Sequence, residues 1–265
     1  MIPAPPSDRD FPWWLVVAGA IGVYLAYRVV ADDIYRQVLS TLSKGVGITV
    51  FVTLVSFFAA SGLGLLLAVA SLSRFVAIRQ MARFYIEIVR GIPILVLLLY
   101  VAFVFAPALV AAWNWVAVSL EFEPIRTRDF TLLWRAILAL TIAYSAFIAE
   151  VFRAGLQSVD QGQVEAANAL GLSPWQRFRL IIFPQAFRTI LPPLGNDFIA
   201  MVKDSSLVSV LGVLDVAQLG KVTAAGNFRY FETYNVVALI YLVMTITLSL
   251  VLRRIERRLR DRPGA

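Results

Sequence analysis

Asn196, Asp197, Lys203 and Asp204 fall close together in residues 190–214, a stretch that is otherwise apolar enough to lie in a membrane. Two hydroxyls, Ser205 and Ser206, follow directly. A charged side chain in a bilayer costs roughly 2.5–3.5 kcal/mol on insertion scales, so these groups must face a cavity, a partner or each other. Lys203 offers a cation and Asp204 an acceptor. The two can hold the ends of a zwitterionic solute, or they can neutralise each other in a structural or gating role; the residues leave both readings open. Pro192 and Pro193 precede them and free backbone groups that can line a pathway. Other charges are placed differently. Glu87 and Arg90 sit at the end of an apolar span, where an ion pair between helices or a contact with another protein is the expected use. Glu150 and Arg153 are one helical turn apart and predict a local pair.

Covalent chemistry is poorly provided for. The chain has no Cys and no His, which removes a thiol nucleophile, an imidazole base, disulfides and the usual zinc ligands. It has no GxxxxGK[ST] phosphate loop and no nucleophile–base pair, so it cannot bind ATP in that way. No metal and no cofactor is expected on this chain, and it is not expected to be an enzyme.

The elements that must position these groups are membrane helices. The 265 residues are 60% hydrophobic and 15% charged, with mean hydropathy +0.78. A soluble domain carries about 25% charge. Residues 45–73, 91–120 and 233–252 contain no charge, and each is long enough for the roughly 20 residues a spanning helix needs. With further apolar segments at 11–31, 130–149 and 190–214, the expectation is an all-α, polytopic bundle of about six transmembrane helices. A lead at 1–10, the first span and an amphipathic linker at 32–44 form one region. A core at 45–253 and a basic tail at 254–265 follow. Residues 221–232 are expected to be a loop. The net charge of +7 would suggest nucleic acid in a soluble chain. Here the arginines lie beside spans, so orientation and anionic lipid explain them better, and no nucleic-acid partner is expected. Arg74–Arg90, the polar segment 160–184 and the arginine-rich tail fall on one side, which is then cytoplasmic together with both termini.

Residues 160–184 form a polar, helix-prone island. Asp160 or Ser158 can cap a first helix with Val164, Ala167 and Leu170/Gly171 on its apolar face, and Gly171 can end it in a left-handed conformation. Ser173-Pro174 restarts a helix as N-cap and first residue, with Trp175, Phe178 and Ile181/Ile182 on one face. From these residues alone, a solvated loop capping the bundle and a handle for a partner both remain open.

The island also resembles a known motif. Glu165-Ala166-Ala167, three residues, Gly171, nine residues, Ile181, one residue, Phe183-Pro184 is similar to the EAA loop of ATP-binding-cassette importer permeases, with Phe183 where Leu is usual. Residues 85–95, YIEIVRGIPIL, resemble a stretch of the polar amino-acid permeases within that superfamily, as do 145–159 and 191–213. The likeness covers about residues 45–253. It implies a type I importer permease fold and a transmembrane subunit of a polar amino-acid importer in a bacterial inner membrane. It also implies a cytoplasmic ATPase dimer carrying ATP and Mg, a second identical or similar permease, and an extracytoplasmic substrate-binding protein. Glu165, Ala166, Ala167, Gly171, Leu172, Ser173 and Pro184 would then form the surface that docks the ATPase.

Overall fold

The computed structural model describes residues 13–260, and every regular element among them is helical. The lead expected at 1–10 and the end of the tail lie outside the described residues. Helix α1 (Trp13–Ala31) is tied to α2 (Asp33–Ser71) by Asp32, which accepts from the Ile34 N–H and pairs with Arg28 at 2.8 Å. Then come α3 (Val76–Gly91), α4 (Ile94–Tyr100), a wide π turn at Val101–Phe105, and α5 (Ala106–Ser119). Helix α6 (Leu132–Gln157) leads to the polar island, with α7 (Gln161–Ala169) and α8 (Pro174–Arg177). A second π segment (Phe178–Ile182) opens α9 (Phe183–Asp204). A 3-10 turn (Ser205–Leu211), α10 (Val216–Asn227) and α11 (Tyr230–Arg260) complete the chain.

Four stretches are long and apolar enough to cross a membrane: Asp33–Ser71, Ile94–Ser119, Leu132–Gln157 and Tyr230–Arg257. Helix α9 runs with them, but its charges and amides lower its hydropathy. Apolar stretch Gly19–Ala31 of α1 is shorter.

Contacts fix the helix directions. The Ser56 hydroxyl lies 3.4 Å from the Ile137 carbonyl, and a Cβ on Gly64 would fall 2.9 Å from Ile148, so α2 and α6 run parallel. Gly155 abuts Ile190 near one end of α6 while Tyr144 meets Asp204 further along, so α9 runs antiparallel to it. Tyr85 bonds Ser145, and Arg135 bonds the Ala102 carbonyl, so the α3–α5 arm is antiparallel to α6 as well. Gly195 packs on Leu252, which puts the C-terminal part of α11 beside the middle of α9. The C-terminal ends of α2, α6 and α11 thus gather at the end of the bundle that carries α7 and α8. The core between α2, α4, α6 and α9 is small and close-fitting, with Ala60, Ala102, Ala136, Ala143 and Ala146 all buried.

Two sequence expectations need correction, and a third becomes more definite. The span placed at 190–214 is shifted: its helix begins at Phe183 and stops at Asp204, where the chain tightens into the 3-10 turn before left-handed Gly212 (φ +80°). The loop placed at 221–232 is mostly α10. Asp215, fully buried, accepts from the Gln218 N–H at 2.8 Å and from the Tyr241 hydroxyl at 3.1 Å, and so caps a helix that sequence polarity had hidden. The linker at 32–44 is the first part of α2, and its Tyr35, Val38 and Leu42 pack on α10 and α11.

Candidate coupling and pathway sites

The island between α6 and α9 is built by short-range signals. The Asp160 carboxylate accepts from the Gln163 N–H at 3.2 Å and starts α7. Helix α7 ends in a Schellman turn: the Leu172 N–H reaches the Ala167 carbonyl at 3.1 Å, and the Gly171 N–H reaches Asn168 at 3.0 Å. The residue between helix and turn must be left-handed, and Gly171 has φ +73° with nothing within 4 Å of where a Cβ would sit. Ser173 and Gln176 then form a reciprocal capping box, at 3.3 and 2.9 Å, with Pro174 in the first turn of α8. Arg177 bonds the Asn168 side chain, which ties α8 back to α7, and Gln185 bonds Gln163, which ties α7 to α9.

One face of this unit is anchored. Ala167 is buried, and Val164 packs with Val159, Ala186 and Ile190 at the junction of α6 and α9. The other face is open: Glu165, Ala166, Gly171 and Ser173 are exposed, Leu172 and Pro184 half-buried. Leu170, expected on the anchored face with Val164 and Ala167, is instead 80% exposed, because α7 ends one residue earlier and the turn swings it outward. Trp175, expected on the packed face of the second helix, is 67% exposed. It stacks on Phe178 with ring centroids 6.0 Å apart, and Phe183 and Phe187 continue the row. Phe183, the departure from the usual Leu, fills a place between two rings.

The polar residues of α9 are arranged over a longer range. Asp204 accepts a 2.8 Å hydrogen bond from the hydroxyl of Tyr144, a buried residue of α6. Asp197 lies two turns earlier on the same side of α9, and its Oδ2 is buried with no hydrogen-bond partner among the described residues. Asn196 and Lys203 are exposed, Ser206 is half-buried, and buried Ser205 donates to the Val202 carbonyl at 2.7 Å. Among the described residues no ion pair joins Lys203 to Asp204; the partner of Asp204 is a hydroxyl. Tyr144 was not singled out in the sequence. Its signal was a phenol inside an apolar run, next to Ser145, which itself bonds Tyr85 at 2.8 Å.

Of the remaining charges, Glu150 and Arg153 form an ion pair at 2.5 Å. Glu87 and Arg90 are exposed and in no ion pair among the described residues; the Arg90 guanidinium lies over the Phe147 ring at 5.7 Å. Of the two uses expected for this pair, the ion pair between helices is not formed among the described residues, and Arg90 alone makes a cation–π contact.

A helical membrane bundle with a capped, outward-facing helix pair at one end is the frame in which relatives can be weighed. The profile for "Binding-protein-dependent transport system inner membrane component" matches residues 60–262. The chain belongs to this family. It is 36% identical over 82% of its length to a probable amino-acid permease protein, YxeN, of Bacillus subtilis, covering 90% of that protein. It is 35% identical to the glutamine transport system permease protein GlnP of Escherichia coli K12, over 83% of this chain and 93% of that one. Among solved structures, an amino acid ABC transporter with histidines matches with a TM-score of 0.68 at 36% identity, covering 83% of this chain and 94% of its own. The fold is therefore that of the type I ABC importer permeases, and the chain is an inner-membrane component of a transport system.

Proposed function

We propose that this chain is the permease subunit of an ABC importer for a polar amino acid, driven by a separate ATPase that docks on residues 160–184. The observation that carries the reading is the open face of the α7–α8 unit. Two caps and a left-handed glycine hold Glu165, Ala166 and Leu170 outward on a platform anchored in the α6–α9 junction. Small residues allow close approach, Glu165 offers a charge to a partner Arg or Lys, and Leu170 offers an apolar knob. ATP and Mg would be held by the partner ATPase dimer, whose closing would push this platform. Because α6 and α9 both leave it, the push would reach Tyr144, Asp197 and Asp204 along rigid helices. Amino-acid transport is supported by the likeness to YxeN, a probable amino-acid permease, and to GlnP, a glutamine transport permease. The family supports an external binding protein, and a second permease, identical or similar, would complete the pathway. The end bearing the platform and the basic tail would be cytoplasmic, with both termini, a reading the arginine distribution supports. The arrangement of Asp197 and Asp204 suits an ammonium group, and exposed Lys203 suits a carboxylate, with Asn196, Ser205 and Ser206 flanking them.

The test is co-purification with an ABC-type ATPase from the same cell. Gly171→Val forces a β-branched residue into a left-handed conformation, at a cost of about 1–2 kcal/mol confined to an exposed turn. Together with Glu165→Lys it is expected to reduce ATPase retention at least tenfold while the melting of the bundle changes little. Amino-acid uptake that persists when the ATPase is deleted would sink the reading and favour an ion-gradient-driven transporter.

A further inference from the structure

Helix α3 carries three separate stripes. Ala82, Ile86 and Val89 are buried, and α3 packs on α2 and α6. Ile78, Met81, Phe84 and Ile88 recur at three- and four-residue steps and are all exposed, Met81 73% and Phe84 70%. Arg79, Arg83, Glu87 and Arg90 form the third stripe, on the side of the helix away from the exposed apolar one. A helix built this way suits neither water nor the bilayer core, but does suit the boundary between them.

Three further observations decide what covers it. The helix is not needed for crossing, because Ile94–Ser119 alone has 26 residues, about 39 Å at 1.5 Å per residue. Both of its ends are tethered to membrane segments by short links, at 72–75 to α2 and at Ile92–Pro93 to α4. Ile92 is extended ahead of the proline (φ −99°, ψ 131°), which breaks the helix axis there. The arginines also lack acidic partners: none of Arg74, Arg79, Arg83 and Arg90 is in an ion pair among the described residues. Arg79 bonds the Ser73 carbonyl, Arg74 and Arg90 lie over aromatic rings, and Glu150, whose charge Arg83 and Arg90 feel, is already taken by Arg153.

We infer that α3 lies in the headgroup layer of the bilayer, with Met81 and Phe84 among acyl chains and its arginine stripe holding the phosphates of anionic phospholipid. Lipid rather than a protein partner is the occupant because α3 is joined at both ends to membrane segments with exposed apolar residues, Val69 and Leu72 before it and Leu95 and Val96 after it, and because unpaired guanidinium groups complement phosphate. Bound there, lipid would fix the arm α3–α5 against α6, through the Tyr85–Ser145 bond.

The chain has no cysteine, so Phe84→Cys or Arg83→Cys gives one labelling site in the full chain. A spin label at each, in the purified full chain in nanodiscs, reads depth from collision with oxygen and with a water-soluble nickel reagent. The label at 84 is expected to be oxygen-accessible and shielded from nickel; the label at 83, on the charged stripe, is expected to be nickel-accessible. Vesicles of phosphatidylcholine with and without phosphatidylglycerol at about a quarter of the lipid then test the charge. Arg74→Gln with Arg83→Gln is expected to reduce the preference for phosphatidylglycerol roughly tenfold, read by native mass spectrometry of bound lipid. A nickel-accessible label at 84, or a lipid preference untouched by the double substitution, overturns the inference. Neither readout depends on the ATPase or on amino-acid uptake, so a failure here is distinguishable from a failure of the proposed function.

Discussion

The platform at 160–184 and the polar set on α9 are both departures from an apolar bundle, but they are made by different forces. Every constraint on the platform's turns spans a few residues: Asp160 to Gln163, Ala167 to Leu172, Ser173 to Gln176. The polar set is held across helices, with Tyr144 and Asp204 sixty residues apart in sequence. A surface that must meet another protein can be rigid by local chemistry alone. Groups in a bilayer must be satisfied by whatever neighbouring helices bring, since no water substitutes. The two regions meet where Gly155 of α6 touches Ile190 of α9.

That meeting point gives the largest expected effect. A Cβ at Gly155 would lie 2.2 Å from Ile190 Cγ1 and 3.4 Å from the Ala186 carbonyl. Gly155→Val must push α9 off α6 beneath the platform and is expected to cost about 3 kcal/mol or more of stability, beyond the usual cost of overpacking. Thermal melting of the purified chain measures it. A companion Ile190→Ala should recover part of the loss in the Gly155→Val background, because it empties the space the valine needs. Failure of that rescue would mean that the two helices are not coupled through this contact.

A smaller effect separates stability from transport on α9. Tyr144→Phe removes the hydroxyl that bonds Asp204 and should cost about 1–2 kcal/mol. Asp197→Asn should do the opposite to stability, since it replaces a carboxylate oxygen that is buried without a partner by a neutral amide. If Asp197 is kept for its contact with the transported solute, the more stable Asp197→Asn protein takes up less amino acid. Stability and uptake that rise together would remove Asp197 from the pathway and leave Asp204 and Tyr144 as a purely structural bond.

This division also explains what the sequence made legible. Asp160, Gly171 and Ser173-Pro174 announced the ends of α7 and α8, because capping uses residue types at fixed offsets. The apolar runs announced the spans of α2, α6 and α11 for the same reason of local period. The shifted α9 and the hidden α10 were missed because their limits depend on distant residues. Asp215 becomes a buried N-cap only when Tyr241 donates to it, and α9 stops where Asp204 is held by Tyr144. The exposure of Leu170 and Trp175 was missed because helical spacing shows which residues share a face, not whether that face is covered.

The smallest predicted effect is the most direct test that the platform is locally determined. Ser173→Ala removes one partner of the capping box and should cost about 1 kcal/mol, felt by α8 alone. Hydrogen exchange at residues 175–177 should rise, with exchange across α6 and α9 unchanged. Ser173→Asp, which retains an acceptor at the same place, should restore protection. If Ser173→Ala instead loosened Tyr144 and Asp204, the platform and the polar set would form one cooperative unit. Coupling would then travel through partial unfolding of the junction rather than through rigid helices leaving a rigid platform.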